Sequence, residues 1–181
     1  FKIINKENGG HGSAINTGVE NVTGKYFKCV DADDWVYTDA LERTMKILEK
    51  EDFDALIQSF ITYDISKDLW EPRDIHCDNT DRIYNLKEIV DMWEQIDYGM
   101  SFHGVTYNSQ FYKRLGYKLI EGVFYEDQEY ATIPLSYAKR IRLLDDELYV
   151  YRLGDVNQSV STQSQLSRLP HFEAVLFKIL E

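Results

Sequence analysis

The sequence predicts an α/β domain built on one mixed sheet with helices packed against it. Short apolar segments rich in β-branched and aromatic residues alternate along the chain with segments of helical periodicity. One apolar segment stops abruptly at a cluster of carboxylates, which is typical of a strand that ends at the ligand-binding edge of such a sheet. The 181 residues suffice for a single domain with a sizeable core, and no internal repeat indicates another architecture.

The first third of the chain predicts three strands and two helices. Residues 1–5 favour a strand, and a glycine-rich turn then leads into a helix over about 12–22. An apolar strand over 26–30 precedes the carboxylates, and Thr38 or Asp39 can cap a helix over about 39–50. The run 54–63 is mostly apolar and predicts a buried strand.

The remaining segments continue the same alternation. Residues 64–82 are polar and include Pro72, so they predict an irregular connection. A helix over 86–95, a strand over 102–107 and a short helix over 109–115 follow. The chain then predicts a helix over 127–138, a strand-rich run over 142–152 and a final helix from about 165 or 170 to the end.

Composition and charge exclude several classes of function. The net charge of −11 argues against nucleic acid as a partner, because phosphate backbones recruit basic surfaces. Cys29 and Cys77 form no Cys-x-x-Cys pair, so neither a zinc site nor a disulfide framework is indicated. No apolar run approaches the ~18 residues that a membrane-spanning helix requires.

Three carboxylates, Asp31, Asp33 and Asp34, stand within four positions after the strand predicted over 26–30. They repel one another unless a cation neutralises them, and oxygen ligands without nearby Cys or His suit Mg²⁺ or Mn²⁺. A divalent metal that holds a phosphorylated substrate is therefore the first hypothesis. The alternative is that the acids only form the turn, since Asp is common at strand ends and helix caps.

The glycine-rich turn lies upstream, over residues 8–18. Its glycines permit positive φ and close approach to a ligand, and the exposed N–H groups at the helix start favour phosphate. No Gly-Lys-Ser/Thr sequence closes the turn as in a P-loop, and the glycines do not match the dinucleotide fingerprint.

Taken together, these blocks resemble the core of family 2 glycosyltransferases. The matching sequences are Asn-Gly-Gly-x-Gly-Ser-Ala-x-Asn-x-Gly from residue 8, Thr-Gly-Lys-Tyr-Phe from 23, Asp-Ala-Asp-Asp-Trp from 31 and Gly-Val-Phe-Tyr-Glu-Asp-Gln-Glu-Tyr from 122. The resemblance runs from residue 1 to about 161. It implies the GT-A fold, a Rossmann-like nucleotide-diphospho-sugar transferase domain, of which this chain would be the C-terminal portion.

Two departures from the family qualify this interpretation. Relatives begin with further strands and helices that bind the nucleotide base, so residues 1–181 are expected to be a single-domain fragment that lacks them. Many relatives also carry Arg before the Asn of the glycine-rich block, where this chain has Ile15. His11, Lys25 or Arg152 could supply the missing positive charge.

The resemblance also implies roles for individual residues. Asp33 would bind the metal, and Asp31 would contact the nucleotide ribose or a metal-bound water. Asp127 is expected to be the base that activates the acceptor hydroxyl, with Glu126 as the rival. The alternative is that these two acids only stabilise a helix N-terminus. The other implied site residues are Asn8, Gly9, Gly10, Asn16 and Arg152 for the donor, and His103 and Trp35 for the acceptor.

The implied function is inverting, metal-dependent transfer of a hexose from a nucleotide-diphosphate donor, UDP by default, to a glycan or lipid-linked hydroxyl in cell-surface polysaccharide or glycolipid synthesis. A cytoplasmic location, with peripheral association at the inner face of the membrane through other regions, follows from such an acceptor. The loop from Tyr151 to Ser161 resembles the family's flexible cover. Gln165 to Leu169 lacks the Trp of processive synthases, which favours one sugar per encounter. A non-catalytic sugar- or nucleotide-binding relative and a metal-dependent phosphohydrolase remain alternatives.

Overall fold

The computed structural model describes residues 2–77, 79–96, 99–154 and 167–181. Its helices are α1 His11–Asn21, α2 Thr38–Lys50, α3 Leu86–Asp91, α4 Trp93–Ile96, α5 Ser109–Leu115, α6 Glu126–Ser136 and α7 Leu169–Leu180. Its strands are β1 Tyr26–Phe27, β2 Trp35–Val36, β3 Ala55–Asp64, β4 Leu69–Arg73, β5 Ile83–Tyr84, β6 Val105–Asn108 and β7 Ile141–Leu153. None of these helices is both long and apolar enough to cross a bilayer.

The seven strands form one mixed sheet with the central order β1-β6-β3-β7-β2. β4 pairs with β3 at one end, and β5 pairs with β7. β1 and β3 are both antiparallel to β6, and β7 is parallel to β3, so β1, β3 and β7 run in the same direction. The predicted mixed α/β architecture is confirmed, and the carboxylates that follow β1 lie beyond its carboxyl end.

The core lies around β3, whose first eight residues are buried. Burial of both faces explains why this strand is apolar along most of its length instead of alternating. Large buried aromatic residues fill the space beside it, among them Tyr107, Tyr130 and Tyr149. A buried phenol needs a hydrogen-bond partner, and the Tyr107 hydroxyl donates to the backbone carbonyl of Tyr130 at 2.9 Å. Packing of this kind fixes the elements that carry the site.

Most long elements agree with the sequence-based predictions. The predicted helices over 39–50 and 109–115 correspond to α2 and α5, and the helix over 12–22 corresponds to α1. The buried strand over 54–63 is β3, and the strand-rich run over 142–152 is β7. The helix predicted over 127–138 is α6, which ends two residues earlier than expected, at Ser136.

Two strand predictions near the start of the chain are wrong. Residues 2–5 form no strand, and Ile3 is 85% exposed, because an apolar run becomes a strand only where a sheet edge pairs with it. The strand predicted over 26–30 ends at Phe27. Beyond Phe27, the Lys28 ammonium donates hydrogen bonds to the backbone carbonyls of His103 and Val105. These carbonyls lie on the segment that a longer β1 would pair with, so the Lys28 side chain replaces strand pairing there.

Three further differences concern short elements. The segment 64–82 contains β4, where Pro72 is tolerated because this strand pairs only with β3 and lies at a sheet edge. The predicted helix over 86–95 is divided at Met92 into α3 and α4. β2 and β5 are two residues long, which is too short for a hydrophobic pattern to reveal.

The turn into β6 yields a stability prediction. A Cβ atom at Gly104 would lie 2.1 Å from the carbonyl oxygen of Gly99 and 2.9 Å from that of Gln58. Both are backbone atoms, so Gly104→Ala should lower the free energy of unfolding by about 1–3 kcal/mol. Gly18→Ala in α1 is the control, because nothing lies within 4 Å of its Cβ position. In urea unfolding, the free energy of unfolding of Gly18→Ala should rise by up to about 1 kcal/mol. Unchanged stability of Gly104→Ala would contradict the packing.

Candidate active site

A cavity of about 350 Å³ lies between the turn after β1 and the start of α6. This volume is at the lower end of the range for small-molecule sites. Sequence blocks that are far apart in the chain meet there. Five predicted site residues line it, namely Asp31, Asp33, His103, Glu126 and Asp127. Seven other residues line it: His11, Ala32, Phe102, Phe124, Tyr125, Tyr151 and Arg168. Among these, His11 was named from the sequence only as a possible source of positive charge.

Tyr149 of β7 holds the turn that carries the carboxylates. Its hydroxyl accepts a hydrogen bond from the backbone N–H of Asp31 at 3.1 Å and donates to Oδ2 of Asp34. The backbone N–H of Arg152 donates to Oδ1 of Asp34 at 2.8 Å. Burial raises the pKa of Asp34, and these two hydrogen bonds oppose the rise. Both oxygens of Asp34 are therefore engaged in holding the turn.

Asp33 differs from its neighbour, because its side chain is 47% exposed and it lines the cavity. Its Oδ2 lies 3.9 Å from the Arg152 guanidinium, which places the predicted phosphate contact beside the acid. Asp31 is also partly exposed, at 31% of its side chain. The cavity thus presents the oxygens of Asp31 and Asp33, with a cationic group next to them.

One group of possible metal ligands is present among the described residues, and its members are Asp31, Asp34 and His103. Their ligand atoms lie within 4.8 Å of one another, and Asp33 is not part of the group. The oxygens of Asp34 already accept hydrogen bonds, whereas those of Asp33 face the cavity. Carboxylates fit a hard divalent cation, and Asp31 and Asp33 are the two carboxylates of this turn that line the cavity.

His103 stacks on Tyr151 with a ring-centroid distance of 4.0 Å and also packs on Phe60 at 5.2 Å. Burial, and then the nearby charge of Lys28, lower the pKa of His103 to about 4. The imidazole is therefore neutral at neutral pH. The stacked rings of His103 and Tyr151 form an aromatic part of the cavity wall beside Asp31.

The second group of acids opens α6. Tyr125 precedes the helix with φ of 72°, a left-handed conformation that is strained for a residue with a side chain. This conformation turns Glu126 and Asp127 into the cavity. Burial raises the pKa of Asp127, and the charge of Glu126 raises it further. Glu129 has a different task, since it accepts hydrogen bonds from the Tyr117 hydroxyl and the backbone N–H of Ile120.

His11, the first residue of α1, lies between the two groups of acids. Its Nε2 is 3.0 Å from Oδ1 of Asp31, and its Nδ1 is 2.8 Å from Oε1 of Glu126. Hydrogen bonds to Asp31 and then to Glu126 raise the pKa of His11 to about 10 against the opposing effect of burial. Sequence spacing could not reveal this arrangement, because Glu126 is 115 positions away.

The glycine-rich block packs against the loop that precedes α6. The Gly9 carbonyl accepts a hydrogen bond from the Gly122 N–H at 2.8 Å. The Asn16 side chain bonds both the N–H and the carbonyl of Leu119, each at 3.0 Å. Asn8 accepts from the N–H of Gly10 at 3.0 Å. The predicted donor residues Asn8, Gly9, Gly10 and Asn16 lie outside the lining of the cavity, and they position α1 beside it.

Trp35 lies in β2, opposite Val150 of β7, and it is not part of the cavity lining. Its ring packs edge-on against Tyr63 and Trp70, at 6.2 and 6.3 Å between centroids. Acceptor contact by Trp35 stays a prediction. The predicted cover loop lies outside the described residues from 155 onward, and Gln165 does so too.

Comparison with known proteins shows which family the chain resembles. Residues 1–116 match the family model described as "Glycosyl transferase family 2". The chain is 24% identical over 160 residues to the uncharacterized glycosyltransferase EpsJ of Bacillus subtilis, covering 84% of this chain and 44% of EpsJ. It is 23% identical over 155 residues to the glycosyltransferase GlyA of Streptococcus pneumoniae, covering 83% of this chain and 22% of GlyA. The chain thus spans less than half the length of these relatives.

Solved structures support the fold. The crystal structure of S. aureus TarS 1–349 in complex with UDP-GlcNAc superposes with a TM-score of 0.67 at 17% identity. The match covers 98% of this chain and 49% of that one. A second match, TarS 1–349 in complex with UDP, has a TM-score of 0.54 over 76% of this chain. The predicted GT-A fold is confirmed.

Tyr149→Phe tests how the acidic turn is held. The substitution removes the hydroxyl that joins the Asp31 N–H to the Asp34 carboxylate and leaves both groups short of a partner. The free energy of unfolding should fall by about 1–3 kcal/mol in urea titrations. Tyr137→Phe serves as the matched control, because Tyr137 is 62% exposed and should tolerate the change. Equal stability of the two variants would show that the turn is held by other contacts.

Proposed function

This chain belongs to glycosyl transferase family 2, and we propose that it takes part in the transfer of a sugar from a nucleotide-diphosphate donor to an acceptor hydroxyl. One observation carries the proposal: the acids after β1 and the acids that open α6 line the same cavity. A group-transfer site needs one set of residues for the leaving group and another for the nucleophile. The two acidic groups stand on different elements and can serve these separate tasks.

The donor side of the proposed site is formed by Asp31 and Asp33. Their partly exposed carboxylates would hold Mn²⁺ or Mg²⁺, which would supply Lewis-acid stabilisation of the departing diphosphate. Arg152, whose guanidinium lies 3.9 Å from Asp33, would contact a phosphate oxygen. A UDP-sugar is the proposed donor, and the complex of the structurally similar TarS with UDP-GlcNAc supports that choice.

Asp127 is the proposed general base on the acceptor side. In a single displacement, the acceptor oxygen bonds the anomeric carbon while the bond from that carbon to the diphosphate oxygen breaks, and the configuration inverts. The hydroxyl proton passes to the Asp127 carboxylate, and the electron pair of the broken bond leaves with the diphosphate. A pKa above that of an ordinary Asp, caused by burial, makes Asp127 a better proton acceptor.

Contacts favour Asp127 over Glu126 as the base. Glu126 is 3% exposed, and its Oε1 already bonds His11, whereas Asp127 is only partly buried and lines the cavity. A base must reach a proton on the substrate, so the more accessible carboxylate suits that role. Glu126 would then act through its neighbours.

The acceptor is proposed to be a glycan or lipid-linked hydroxyl in the synthesis of cell-surface polysaccharide or glycolipid. His103 is proposed to line the acceptor side, because its ring and that of Tyr151 form a stacked wall of the cavity. Trp35 lies outside that lining and would contact a longer acceptor that extends past β2. We place the reaction in the cytoplasm at the inner face of the membrane, as the family resemblance implies.

The test is transfer from a panel of nucleotide-sugars with Mn²⁺, measured by release of the nucleoside diphosphate from the whole protein. Asp33→Asn and Asp127→Asn should each lower kcat at least 100-fold. This is the smallest rate loss expected when a general base or a charge-stabilising group is removed. Asp127→Asn should still bind UDP, since the base does not hold the donor.

The matched control for both changes is Asp91→Asn, because Asp91 is 61% exposed at the end of α3 and pairs only with Lys87 among the described contacts. This variant should retain the rate of the unaltered protein. The proposed function fails if the unaltered protein neither transfers nor hydrolyses any nucleotide-sugar of the panel and binds no UDP.

A pH profile tests the base independently. The pKa of Asp127 lies above its ordinary value of 3.8, so the carboxylate is protonated, and inactive as a base, at a higher pH than an ordinary Asp. We expect kcat/KM to fall as pH decreases through this raised pKa and to reach a plateau above it. The acid limb should disappear from the residual activity of Asp127→Asn. Persistence of the same limb in that variant would assign it to another group.

A further inference from the structure

His11 connects the two acidic groups of the site through both of its ring nitrogens. Nε2 lies 3.0 Å from Asp31, and Nδ1 lies 2.8 Å from Glu126. Each ring nitrogen is therefore within hydrogen-bond distance of a different acidic side chain. These two contacts connect the first residue of α1 to the turn after β1 and to the first turn of α6.

Glu126 depends on this contact more than Asp31 does. Its side chain is 4% exposed, and its Oε2 is buried without a hydrogen-bond partner. Among the described residues, His11 is the only side chain that forms a hydrogen bond or ion pair with its carboxylate. A buried carboxylate that loses its hydrogen-bond partner is destabilised, and it moves, protonates or admits water. Asp127 is the next residue in the same first turn of α6, so a displaced Glu126 displaces Asp127 as well.

Local packing leaves His11 little freedom to move. Gly10 precedes it with φ of 85°, and a Cβ atom at Gly12 would lie 2.5 Å from the Ile120 carbonyl oxygen and 3.1 Å from Cγ of Glu126. The two glycines thus permit the start of α1 to lie directly against the chain that leads into α6. The His11 ring also contacts Phe102 edge-on, with centroids 5.3 Å apart. The contacts of His11 therefore join the start of α1 to a segment that already packs closely against it.

We propose that His11 is a positioning residue that fixes the acids opening α6 relative to the carboxylates after β1 and so sets the geometry of sugar transfer. This inference rests on the function proposed above. His11 touches neither reacting atom in this scheme, and it acts through Glu126 on the placement of Asp127. Its loss should therefore affect the chemical step more than the binding of the donor.

The test is a double-mutant cycle between His11→Phe and Glu126→Gln, read as kcat and as KM for the donor. UDP-GlcNAc and the other nucleotide-sugars of the panel are the probes. Phe retains a ring of similar size and removes both N–H donors. Each single variant should lower kcat at least tenfold, with a change in donor KM of less than about threefold.

Coupling distinguishes positioning from mere structural support. If His11 acts through Glu126, the double variant should be no slower than the slower single variant within about threefold. If the two side chains contribute independently, their effects should multiply to a loss of at least 100-fold, and this result would overturn the inference. Non-additivity is expected because both changes weaken the interaction between the same two side chains.

Two controls keep the outcome interpretable. His76→Phe is the matched substitution, since His76 is exposed and lies outside the cavity lining, and it should leave kcat unchanged. His11→Gln retains an N–H donor without the charge, and partial recovery of kcat relative to His11→Phe is expected. If His11→Phe fails to fold, the same cycle run with His11→Gln still decides between coupled and independent effects.

Failure of the inference is separate from failure of the proposed function. An active protein whose His11 variants keep full kcat, or whose cycle is additive, retains the proposed function and loses the positioning role. A protein inactive with every nucleotide-sugar of the panel loses the proposed function, and the inference falls with it.

Discussion

β3 pairs with β7 in parallel from Ala55 opposite Ile141 to Asp64 opposite Leu153. This pairing sets the position of almost everything that surrounds the site. It leaves the other edge of β3 for β6, and hence for β1, while β7 presents its far edge to β2. The acidic turn joins β1 to β2 and so has to pass the ends of the strands between them. Tyr149 and Arg152, near the end of β7, meet the turn there and hold it through Asp34.

Electrostatic repulsion is the second constraint, since four carboxylates line one cavity. Two devices relieve it. Hydrogen-bond donors engage Asp34 from one side, and the His11 imidazolium separates Asp31 from Glu126 on the other. Asp33 keeps an exposed carboxylate near Arg152, and Asp127 is partly buried with a raised pKa. Asp33 and Asp127 therefore lie in different environments, which suits the two roles proposed for them.

The sequence predicted the long elements well, because a run such as 54–63 or 142–152 has enough residues to show its pattern. Predictions from the sequence were wrong where a local structure depends on the neighbouring segments that it contacts. Residues 2–5 lack a paired edge, Lys28 takes the carbonyls that a longer β1 would need, and two-residue strands carry no pattern at all. Site prediction shows the same division. Acids that follow a strand or open a helix were visible, whereas the role of His11 depends on neighbours that are 20 and 115 positions away and on a docking surface made by glycines.

Ile15 connects these observations with the family resemblance. The family resemblance implies Arg at this position, yet here the Ile15 side chain is 6% exposed and belongs to the apolar core. His11 precedes Ile15 by four residues in α1, and positions four apart lie on the same face of a helix. The chain therefore keeps a cation on that face, one turn nearer the helix start, while Ile15 supplies core packing. A cation placed there reaches both Asp31 and Glu126, and a side chain at Ile15 would have to extend back past Gly12 to do so. The glycine-rich block thus holds His11 at the start of α1, where it contacts both acids.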